Sequence, residues 1–353
     1  MPAPSIASPV NRQRPVSETL PTSAAIFGSG SFGMALAKLL APKMERITII
    51  GRTNATVEAI NQTRRNPSYL SEIQIAAHVS ATMSVSAANS HSLIIFAVPT
   101  SATRATAQSL LDSGISAGTP LLSCAKGIEK NTGDRMSQIL REIFPANPIA
   151  VLSGPNHAEE IAREMATCAV IGSYDEVLAT SLQGLFTFPH FRSYTSTDMA
   201  GIEFGGAVKN VYAIAAGMAH GLGLGDNAVA ALVTRALAEM TRLGVALGGR
   251  AETFSGLSGI GDLVVTCFSE HSRNHRVGIA LGQGKSLDKA VADLGMVVEG
   301  VPNTLSIHEA ALRAGVRTPI IDAVYSILYE NKPVPKAMKE LLSRDLRPEH
   351  SPE

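Results

Sequence analysis

Lys209 and Asn210 form a polar pair inside an otherwise apolar segment of mostly small residues, which runs from position 205 to position 215. Burying an ammonium group is costly unless a partner compensates its charge, so a lysine at this place needs a functional reason. Burial lowers the pKa of a lysine, a nearby anion raises it, and in either case the amine can exchange a proton with a hydroxyl or carbonyl oxygen. The alternative is a lysine at a helix end whose charged tip reaches solvent.

Two later segments carry groups that suit such an amine and a charged substrate. Asp262 lies among glycines and apolar residues, which suggests a carboxylate partner for a cation such as Lys209, with a helix-capping aspartate as the alternative. Ser272, Arg273 and Asn274 concentrate hydrogen-bond donors just before a glycine-containing helix. A guanidinium group together with an amide suits a phosphate, and a solvated basic loop is the alternative.

Polar residues also follow two of the predicted strands. Lys126 comes soon after the apolar run 120–124, and Gly154 and Asn156 come soon after the run 149–152. Ligands of a doubly wound sheet gather at the carboxyl ends of its strands. We therefore expect Lys126 to point into that crevice, with a surface lysine as the alternative.

A glycine-rich loop, Gly28-Ser29-Gly30-Ser31-Phe32-Gly33, follows the first predicted strand and opens the first predicted helix. In this context Gly28 permits a tight turn, Gly30 lets the backbone approach a pyrophosphate, and Gly33 lets the helix pack on the strand. The N-terminus of the helix offers free N–H groups and a partial positive charge to the phosphates. The loop predicts dinucleotide binding, and an ordinary glycine-rich turn is the alternative.

The end of the second predicted strand bears on the choice of dinucleotide. Enzymes specific for NAD usually carry an acidic residue there, which binds the ribose 2′-hydroxyl. This chain has Arg52 at that place and no carboxylate before Glu58. Arg52, helped by Arg64 or Arg65, could face a 2′-phosphate, so NADP(H) fits and NAD(H) stays open. The alternative for Arg52 is a solvated loop arginine.

The pattern of apolar residues predicts the elements that position these groups. Unalternated apolar runs separated by helical spacers indicate a parallel sheet that is covered on both faces. The runs are residues 23–27, 47–50, 93–98, 120–124, 149–152 and 168–171. From about Met199 they give way to segments rich in Ala, Leu and Met, which predict helices at 202–220, 228–247, 277–281, 305–314 and 320–329.

We therefore predict an α/β fold in two domains. An N-terminal Rossmann-type, doubly wound sheet, residues 23–198, would bind the dinucleotide, and an all-α C-terminal domain, residues 199–346, would bind the substrate. The helix predicted at 228–247 places Arg235 and Glu239 four residues apart, a spacing typical of an ion pair on a helix surface.

Length and composition exclude several classes of protein. The 353 residues include 30 Lys and Arg, 30 Asp and Glu and 45% hydrophobic residues, so the formal net charge is zero. This balance excludes an intrinsically disordered chain and argues against a nucleic-acid partner, which would need a basic excess. Three distant cysteines make a poor disulfide framework, and the nine histidines lack metal-ligand spacing, so we expect a reducing compartment and no metal. No run is long and apolar enough for a membrane span.

Residues 1–22 are rich in Pro and Ser, and they contain Arg12 and Arg14 but no acidic residue before Glu18. We expect a flexible tail, with an organelle-targeting segment as the alternative. Residues 347–353 are polar and contain proline, so we expect a second tail there. The expected location is the cytoplasm, and the Ala- and Gly-rich helices would permit close packing in a homodimer.

These segments, in this order, resemble the NAD(P)-dependent sn-glycerol-3-phosphate dehydrogenases over about residues 24–342. The similarity rests on the glycine loop and on the blocks Lys126-Gly127, Ser153-Gly154-Pro155, Gly205-Gly206-Ala207-Val208-Lys209-Asn210, Gly259-Ile260-Gly261-Asp262-Leu263 and Ser272-Arg273-Asn274. The resemblance implies a Rossmann-type domain joined to a helical domain, with the active site between them. It also implies reversible hydride transfer between NAD(H) or NADP(H) and dihydroxyacetone phosphate, giving sn-glycerol 3-phosphate, and a place in glycerophospholipid and carbohydrate metabolism.

The same resemblance implies roles for individual residues. Lys209 corresponds to the proton donor and acceptor, with Asp262 and Lys126 assisting it. The residues implied to contact the substrate are Lys126, Gly154, Asn156, Lys209, Asp262, Ser272, Arg273 and Asn274. The residues expected to bind the nucleotide, including those of the glycine loop, are Gly28, Gly30, Ser31, Phe32, Gly33, Arg52, Lys126, Ala158, Arg273, Val297 and Glu299.

The chain departs from the family pattern at one place. After the Gly-Pro pair the family commonly has a hydroxyl residue and then an aromatic residue, whereas this chain has Asn156 and His157. Two other functions suit the same two-domain plan: a β-hydroxyacid-type dehydrogenase that acts on a carboxylate, and a non-catalytic dinucleotide sensor. A sensor would need the glycine loop but not Lys209, Asp262 and Arg273 together, so this set argues against it.

Overall fold

The first half of the chain is built around one eight-stranded sheet. The structure is a computed structural model that describes residues 20–343, so most of the first predicted tail and all of the second lie outside the described residues. The strands are β1 (Ser23–Phe27), β2 (Arg46–Ile50), β3 (Val79–Thr82), β4 (Leu93–Phe96), β5 (Leu121–Ser123), β6 (Ile149–Ser153), β7 (Thr167–Gly172) and β8 (Phe191–Ser196).

The strand order is β3-β2-β1-β4-β5-β6-β7-β8. Strands β1 to β6 run parallel, whereas β7 pairs antiparallel with β6 and β8 pairs parallel with β7. The order reverses between β1 and β4, and a doubly wound sheet opens a crevice for ligands at such a switch point. The predicted Rossmann-type sheet is confirmed, but the prediction of a parallel sheet is wrong for the run at 168–171, because β7 pairs antiparallel with β6.

Strands β3 and β8 were missed because each lies at an edge of the sheet. In β3, Val79 and Ala81 are buried while Ser80 between them is exposed, and in β8 the buried Phe191 is followed by the exposed Arg192. A strand that is covered on one face shows this alternation instead of an unbroken apolar run. The apolar-run criterion therefore finds only the interior strands.

Helices connect the strands and cover the sheet. They are α1 (Ser31–Leu40), α2 (Asn54–Thr63), α3 (Thr103–Asp112), α4 (Met136–Ile143), α5 (Ala158–Ala162) and α6 (Glu176–Phe186). Helix α1 begins inside the glycine loop, as predicted, and it buries Met34, Leu36 and Leu40 completely. This burial fixes the N-terminus of α1 at the carboxyl end of β1.

The second half is helical, as predicted. Its helices are α7 (Met199–Gly221), α8 (Asp226–Ala246), α9 (Ala251–Phe254), α10 (Asp262–Phe268), α11 (Arg273–Gly282), α12 (Leu287–Leu294), α13 (Gly300–Ala314), α14 (Pro319–Tyr329) and α15 (Val334–Leu342). Helix α7 is buried from Met199 to Ala219, so it forms the centre of this half. The predicted domain boundary between residues 198 and 199 falls in the short link from β8 to α7, and it stays a prediction.

Glu239 does not form the surface pair that its spacing from Arg235 predicts. Its side chain is 1% exposed, and its carboxylate accepts hydrogen bonds from the backbone N–H groups of Ile320 (3.0 Å) and Ile321 (3.1 Å). These donors lie at the start of α14, where backbone N–H groups lack partners within the helix. Arg235 is exposed on the outer face of α8. Tertiary packing thus turned Glu239 into a buried cap for another helix.

Residues 20–343 offer neither a membrane-spanning helix nor a cluster of metal ligands. Among the helices of this range, none combines the length and the hydropathy that crossing a lipid bilayer requires. Within the same range, no group of three or more His, Cys, Asp and Glu side chains is arranged to hold a metal ion.

Candidate active site

A cavity of about 640 Å³ lies where the carboxyl edge of the sheet faces the helical half. It gathers residues that are far apart in the sequence, because the loops after β1, β4, β5 and β6 meet α7 and α11 there. The predicted site residues in its wall are Gly28, Gly30, Ser31, Phe32, Arg52, Lys126, Asn156, Ala158, Lys209, Ser272, Arg273, Asn274, Val297 and Glu299. Gly33, Gly154 and Asp262 lie behind the wall.

The glycine loop fits a dinucleotide. Gly28 has a φ of +112°, and a Cβ atom there would lie 2.5 Å from the carbonyl oxygen of Ala97, so the turn requires glycine. A Cβ atom at Gly30 would meet no atom of the described residues within 4 Å, so the loop leaves room for a phosphate beside the first N–H groups of α1. Gly33 packs against Gly28 and lies behind the wall because its role is to bring α1 onto the sheet.

Three charged groups meet at the bottom of the cavity. The ammonium groups of Lys209 and Lys126 both donate to the carboxylate of Asp262, Lys209 to Oδ1 and Lys126 to Oδ2, the latter at 2.8 Å. Lys209 also donates to Thr266 Oγ1 at 2.9 Å, and Lys126 donates to the carbonyl oxygen of Gly154 at 2.9 Å. The site therefore holds two cations that share one buried anion.

This imbalance of charge determines which form of Lys209 is accessible. Burial, together with a smaller contribution from the charge of Lys126, lowers the pKa of Lys209 to about 7, and the carboxylate of Asp262 opposes this shift. Burial by itself would raise the pKa of Asp262, but the charges of Lys126 and Lys209 outweigh it and hold this pKa below its usual range. Near neutral pH, Lys209 can thus take up or release a proton while Asp262 stays ionised.

Close backbone packing brings Lys209 and Asp262 together. A Cβ atom at Gly205 would lie 2.3 Å from the carbonyl oxygen of Ser258, so only glycine lets α7 approach the π-helical turn Leu257–Gly261 this closely. Asp262 follows that turn as the first residue of α10. Its carboxylate accepts hydrogen bonds from the two lysines and does not cap α10.

The segment at the start of α11 lines the other side of the cavity. Ser272 caps the helix by accepting from the backbone N–H of His275 at 3.2 Å, and Asn274 donates to Asn210 Oδ1 of α7 at 2.9 Å. Arg273 donates to the carbonyl oxygen of Val297 at 3.1 Å, which directs its guanidinium along the wall. A guanidinium held in this way suits a phosphate group.

Two side chains join the halves across the cavity: Asn303 of α13 and Glu299, the residue before that helix. Glu299 accepts from the backbone N–H of Thr100 at 3.1 Å, and Asn303 donates to the carbonyl oxygen of Lys126 at 2.9 Å. Burial raises the pKa of Glu299. These bonds hold the helical half against the loops that follow β4 and β5.

Arg52 lies exposed at the far end of the cavity, after β2. It also lines a neighbouring cavity of about 330 Å³, together with Thr53, Thr56 and Ser68. Its predicted helpers point elsewhere: Arg64 donates to the carbonyl oxygen of Val79, and Arg65 donates to that of Glu72. Neither Arg64 nor Arg65 lines either cavity, since the first guanidinium is held on the backbone of β3 and the second on the loop that precedes β3, so their help to Arg52 stays a prediction.

Two residues that are predicted to contact the substrate do not line the cavity. Asp262 is 1% exposed and touches the lysines rather than the cavity, and Gly154 uses its carbonyl oxygen to hold Lys126. Thr266, which does line the cavity beside Lys209, was missed. It lies four residues after Asp262 on α10, and residues four apart share a helix face, so the predicted role of Asp262 could have revealed it.

The comparisons with known proteins decide the family. The model of the NAD-dependent glycerol-3-phosphate dehydrogenase N-terminus matches residues 23–179, and the model of the C-terminus matches residues 198–339. The chain belongs to this dehydrogenase family. The resemblance inferred from the sequence is confirmed.

Individual relatives agree with this assignment. A glycerol-3-phosphate dehydrogenase [NAD(P)+] of Moorella thermoacetica is 46% identical over 91% of this chain and 96% of its own length. The crystal structure of glycerol-3-phosphate dehydrogenase from Coxiella burnetii superposes with a TM-score of 0.88, at 34% identity over 92% of this chain and 99% of that chain. A ketopantoate reductase of Ralstonia eutropha, at 19% identity and a TM-score of 0.59 over 90% of this chain, shares the fold alone.

Proposed function

We propose that this member of the glycerol-3-phosphate dehydrogenase family transfers hydride reversibly between NAD(P)H and dihydroxyacetone phosphate, giving sn-glycerol 3-phosphate. The observation that carries the proposal is the lysine pair of the cavity, in which Lys209 and Lys126 share the carboxylate of Asp262. The glycine loop with Arg52, Ala158, Val297 and Glu299 would hold the dinucleotide, which supplies the hydride when it is bound. An assay of NAD(P)H absorbance with dihydroxyacetone phosphate, and with the non-phosphorylated ketone as control, tests it.

The residues divide the work between proton transfer and anchoring. Protonated Lys209 stabilises the negative charge that develops on the C2 oxygen during reduction and delivers a proton to it, and neutral Lys209 removes that proton during oxidation. Asp262 and Thr266 orient the amine, and Lys126 adds positive potential. The guanidinium of Arg273 anchors the phosphate and thereby orients the reacting carbon, so a substrate without phosphate should lose kcat as well as affinity.

The pH dependence of the two directions should be opposite. With the pKa of Lys209 at about 7, kcat/KM for reduction should be flat below that pH and fall above it, while kcat/KM for oxidation should rise up to pH 7 and level off. Rates measured from pH 5.5 to 9 cover both limbs, and the second ionisation of the phosphate, at about 6, affects both directions alike because both substrates carry the same group. Parallel profiles in the two directions would contradict the assignment of Lys209.

Replacing Arg273 with alanine should raise KM for dihydroxyacetone phosphate by about 10- to 100-fold, because a charge-assisted bond to the phosphate is lost. Arg276, one turn along α11 and exposed, offers a matched control: Arg276→Ala should leave KM unchanged. Steady-state kinetics at saturating NAD(P)H measure both. An unchanged KM and kcat in Arg273→Ala would count against the phosphate pocket.

The rival with a carboxylate substrate is not favoured, because the ketopantoate reductase shares only the fold whereas close relatives carry the glycerol-3-phosphate dehydrogenase name.

We also propose a cytoplasmic location and a homodimer. Fluorescence imaging of a tagged chain would test the location, and light scattering would test the oligomeric state. The domain boundary at residues 198 and 199 could be tested by expressing residues 23–198 alone and measuring nucleotide binding.

A further inference from the structure

Asn156 and His157, the two residues at which the chain departs from the family pattern, both line the cavity between β6 and α5. Each has a buried side-chain nitrogen, Asn156 Nδ2 and His157 Nε2, that finds no hydrogen-bond partner within residues 20–343. Buried polar atoms are rarely left unpaired in folded proteins. Two such atoms on adjacent residues of a cavity wall indicate a polar ligand group that pairs with them.

The contacts of Asn156 show which kind of group it offers. Its Oδ1 accepts from the ammonium of Lys126 at 2.7 Å, and the residue is 4% exposed. The amide orientation is thereby determined, because an ammonium group can only donate. Nδ2 is left with its hydrogens available for an acceptor on the ligand.

His157 is neutral at physiological pH. Burial, and after it the positive charges of Lys209 and Lys126, lower its pKa to about 4. A neutral imidazole has one nitrogen that donates and one that accepts, so it suits an uncharged group rather than a phosphate. The ring of His271, at 6.2 Å between centroids, lies on the helical side of the same cavity.

The substrate of the proposed reaction has three polar parts. The phosphate is assigned to the guanidinium of Arg273, and the C2 oxygen is assigned to Lys209. The remaining part is the primary hydroxyl group on the carbon next to C2. It is small and uncharged, and it can both donate and accept a hydrogen bond, as the free nitrogens of Asn156 and His157 require.

We propose that His157, together with Asn156, binds this primary hydroxyl and makes the site specific for hydroxymethyl ketone phosphates. The inference rests on the proposed function and adds a specificity-determining residue to it. The hydroxyl is held beside the lysine pair, so it orients C2 from the end opposite the phosphate.

The test compares two substrates that differ only in this group: dihydroxyacetone phosphate, and hydroxyacetone phosphate, which has a methyl group instead. In His157→Phe, which restores an aromatic ring, kcat/KM for dihydroxyacetone phosphate should fall about tenfold, while that for hydroxyacetone phosphate should change less than about twofold. His157→Gln keeps a donor and an acceptor and should retain most of the preference for the hydroxylated substrate. Asn156→Ala, like His157→Phe, should reduce the ratio of kcat/KM for dihydroxyacetone phosphate to kcat/KM for hydroxyacetone phosphate.

A residue that only packs would give a different result. If His157→Phe lowers kcat/KM for both ketones by the same factor, or leaves both unchanged, the hydroxyl contact is wrong while the proposed function stands. If the wild-type enzyme reduces neither ketone with NADPH or NADH, the proposed function fails and this inference fails with it. Nucleotide affinity, measured by fluorescence titration of NADPH, should be the same in wild type and His157→Phe.

Discussion

Replacing Lys209 with methionine is expected to lower kcat in both directions by about 10³-fold or more, because the variant loses the group that exchanges the proton and leaves only Lys126 to stabilise the C2 oxyanion. Methionine fills a space similar to that of lysine. The substitution also removes one of the two cations that share Asp262, which relieves their mutual repulsion. The variant should therefore fold and bind NADPH normally. Stopped-flow and steady-state assays of NADPH oxidation measure the loss, and fluorescence titration measures the binding.

Chemical rescue sharpens this test. Lys209→Ala opens space in the cavity wall, and ethylammonium added to the assay should restore part of the activity if an amine is what the site lacks. Lys289→Ala, which removes an exposed lysine of α12, serves as the control and should have wild-type kcat. Near wild-type reduction of dihydroxyacetone phosphate by Lys209→Met would show that another group transfers the proton.

Replacing Asp262 with asparagine is expected to lower the free energy of unfolding by about 3–5 kcal/mol at pH 7, because Lys126 then loses its anionic partner and Lys209 must either stay charged without one or release its proton. Lys126 and Asp262 have side chains 17% and 1% exposed, so solvent cannot fully replace the lost partner. The variant should also lose activity. Urea denaturation followed by circular dichroism measures the change in stability.

The pH dependence of the stability of Asp262→Asn shows whether the loss of stability comes from the unpaired lysines. The pKa of folded Lys209 is below its unfolded value, so the unfolded state binds more protons and stability rises with pH above about 7. Without Asp262 this pKa falls further, so the stability that Asp262→Asn loses relative to the wild type should shrink as the pH rises towards about 7 and stay constant above it. Adding Lys209→Met to Asp262→Asn should also restore stability, since one buried cation is removed. An unchanged unfolding midpoint in Asp262→Asn would contradict a buried, shared carboxylate.

Much of the fold could be predicted from the sequence because interior strands and core helices carry unbroken or periodic apolar patterns. The glycine loop, the interior strands and α7 all lie where such patterns placed them. The edge strands β3 and β8 and the reversed direction of β7 could not be predicted in this way. Their residues alternate in burial, and strand direction depends on which neighbours a strand meets in three dimensions.

Some residues of the candidate site could likewise be predicted from the sequence, and others could not. Lys126, Lys209 and Asp262 could be recognised because a charge among glycines and apolar residues requires a partner. Thr266, the free nitrogens of Asn156 and His157, and the occupation of Arg64 and Arg65 elsewhere became visible only from contacts between distant segments.

The sequence by itself determined the class of fold, the dinucleotide loop and the residue types available for proton transfer, because local backbone geometry and the cost of burying charge depend on neighbours along the chain. Only the tertiary structure decided that two lysines share one carboxylate and that Asp262 stands behind them. It also decided that Glu239 caps a distant helix instead of pairing with Arg235. Such partnerships are set by the packing of α7 against α10 and the sheet, where side chains remote in sequence compete for the same buried space.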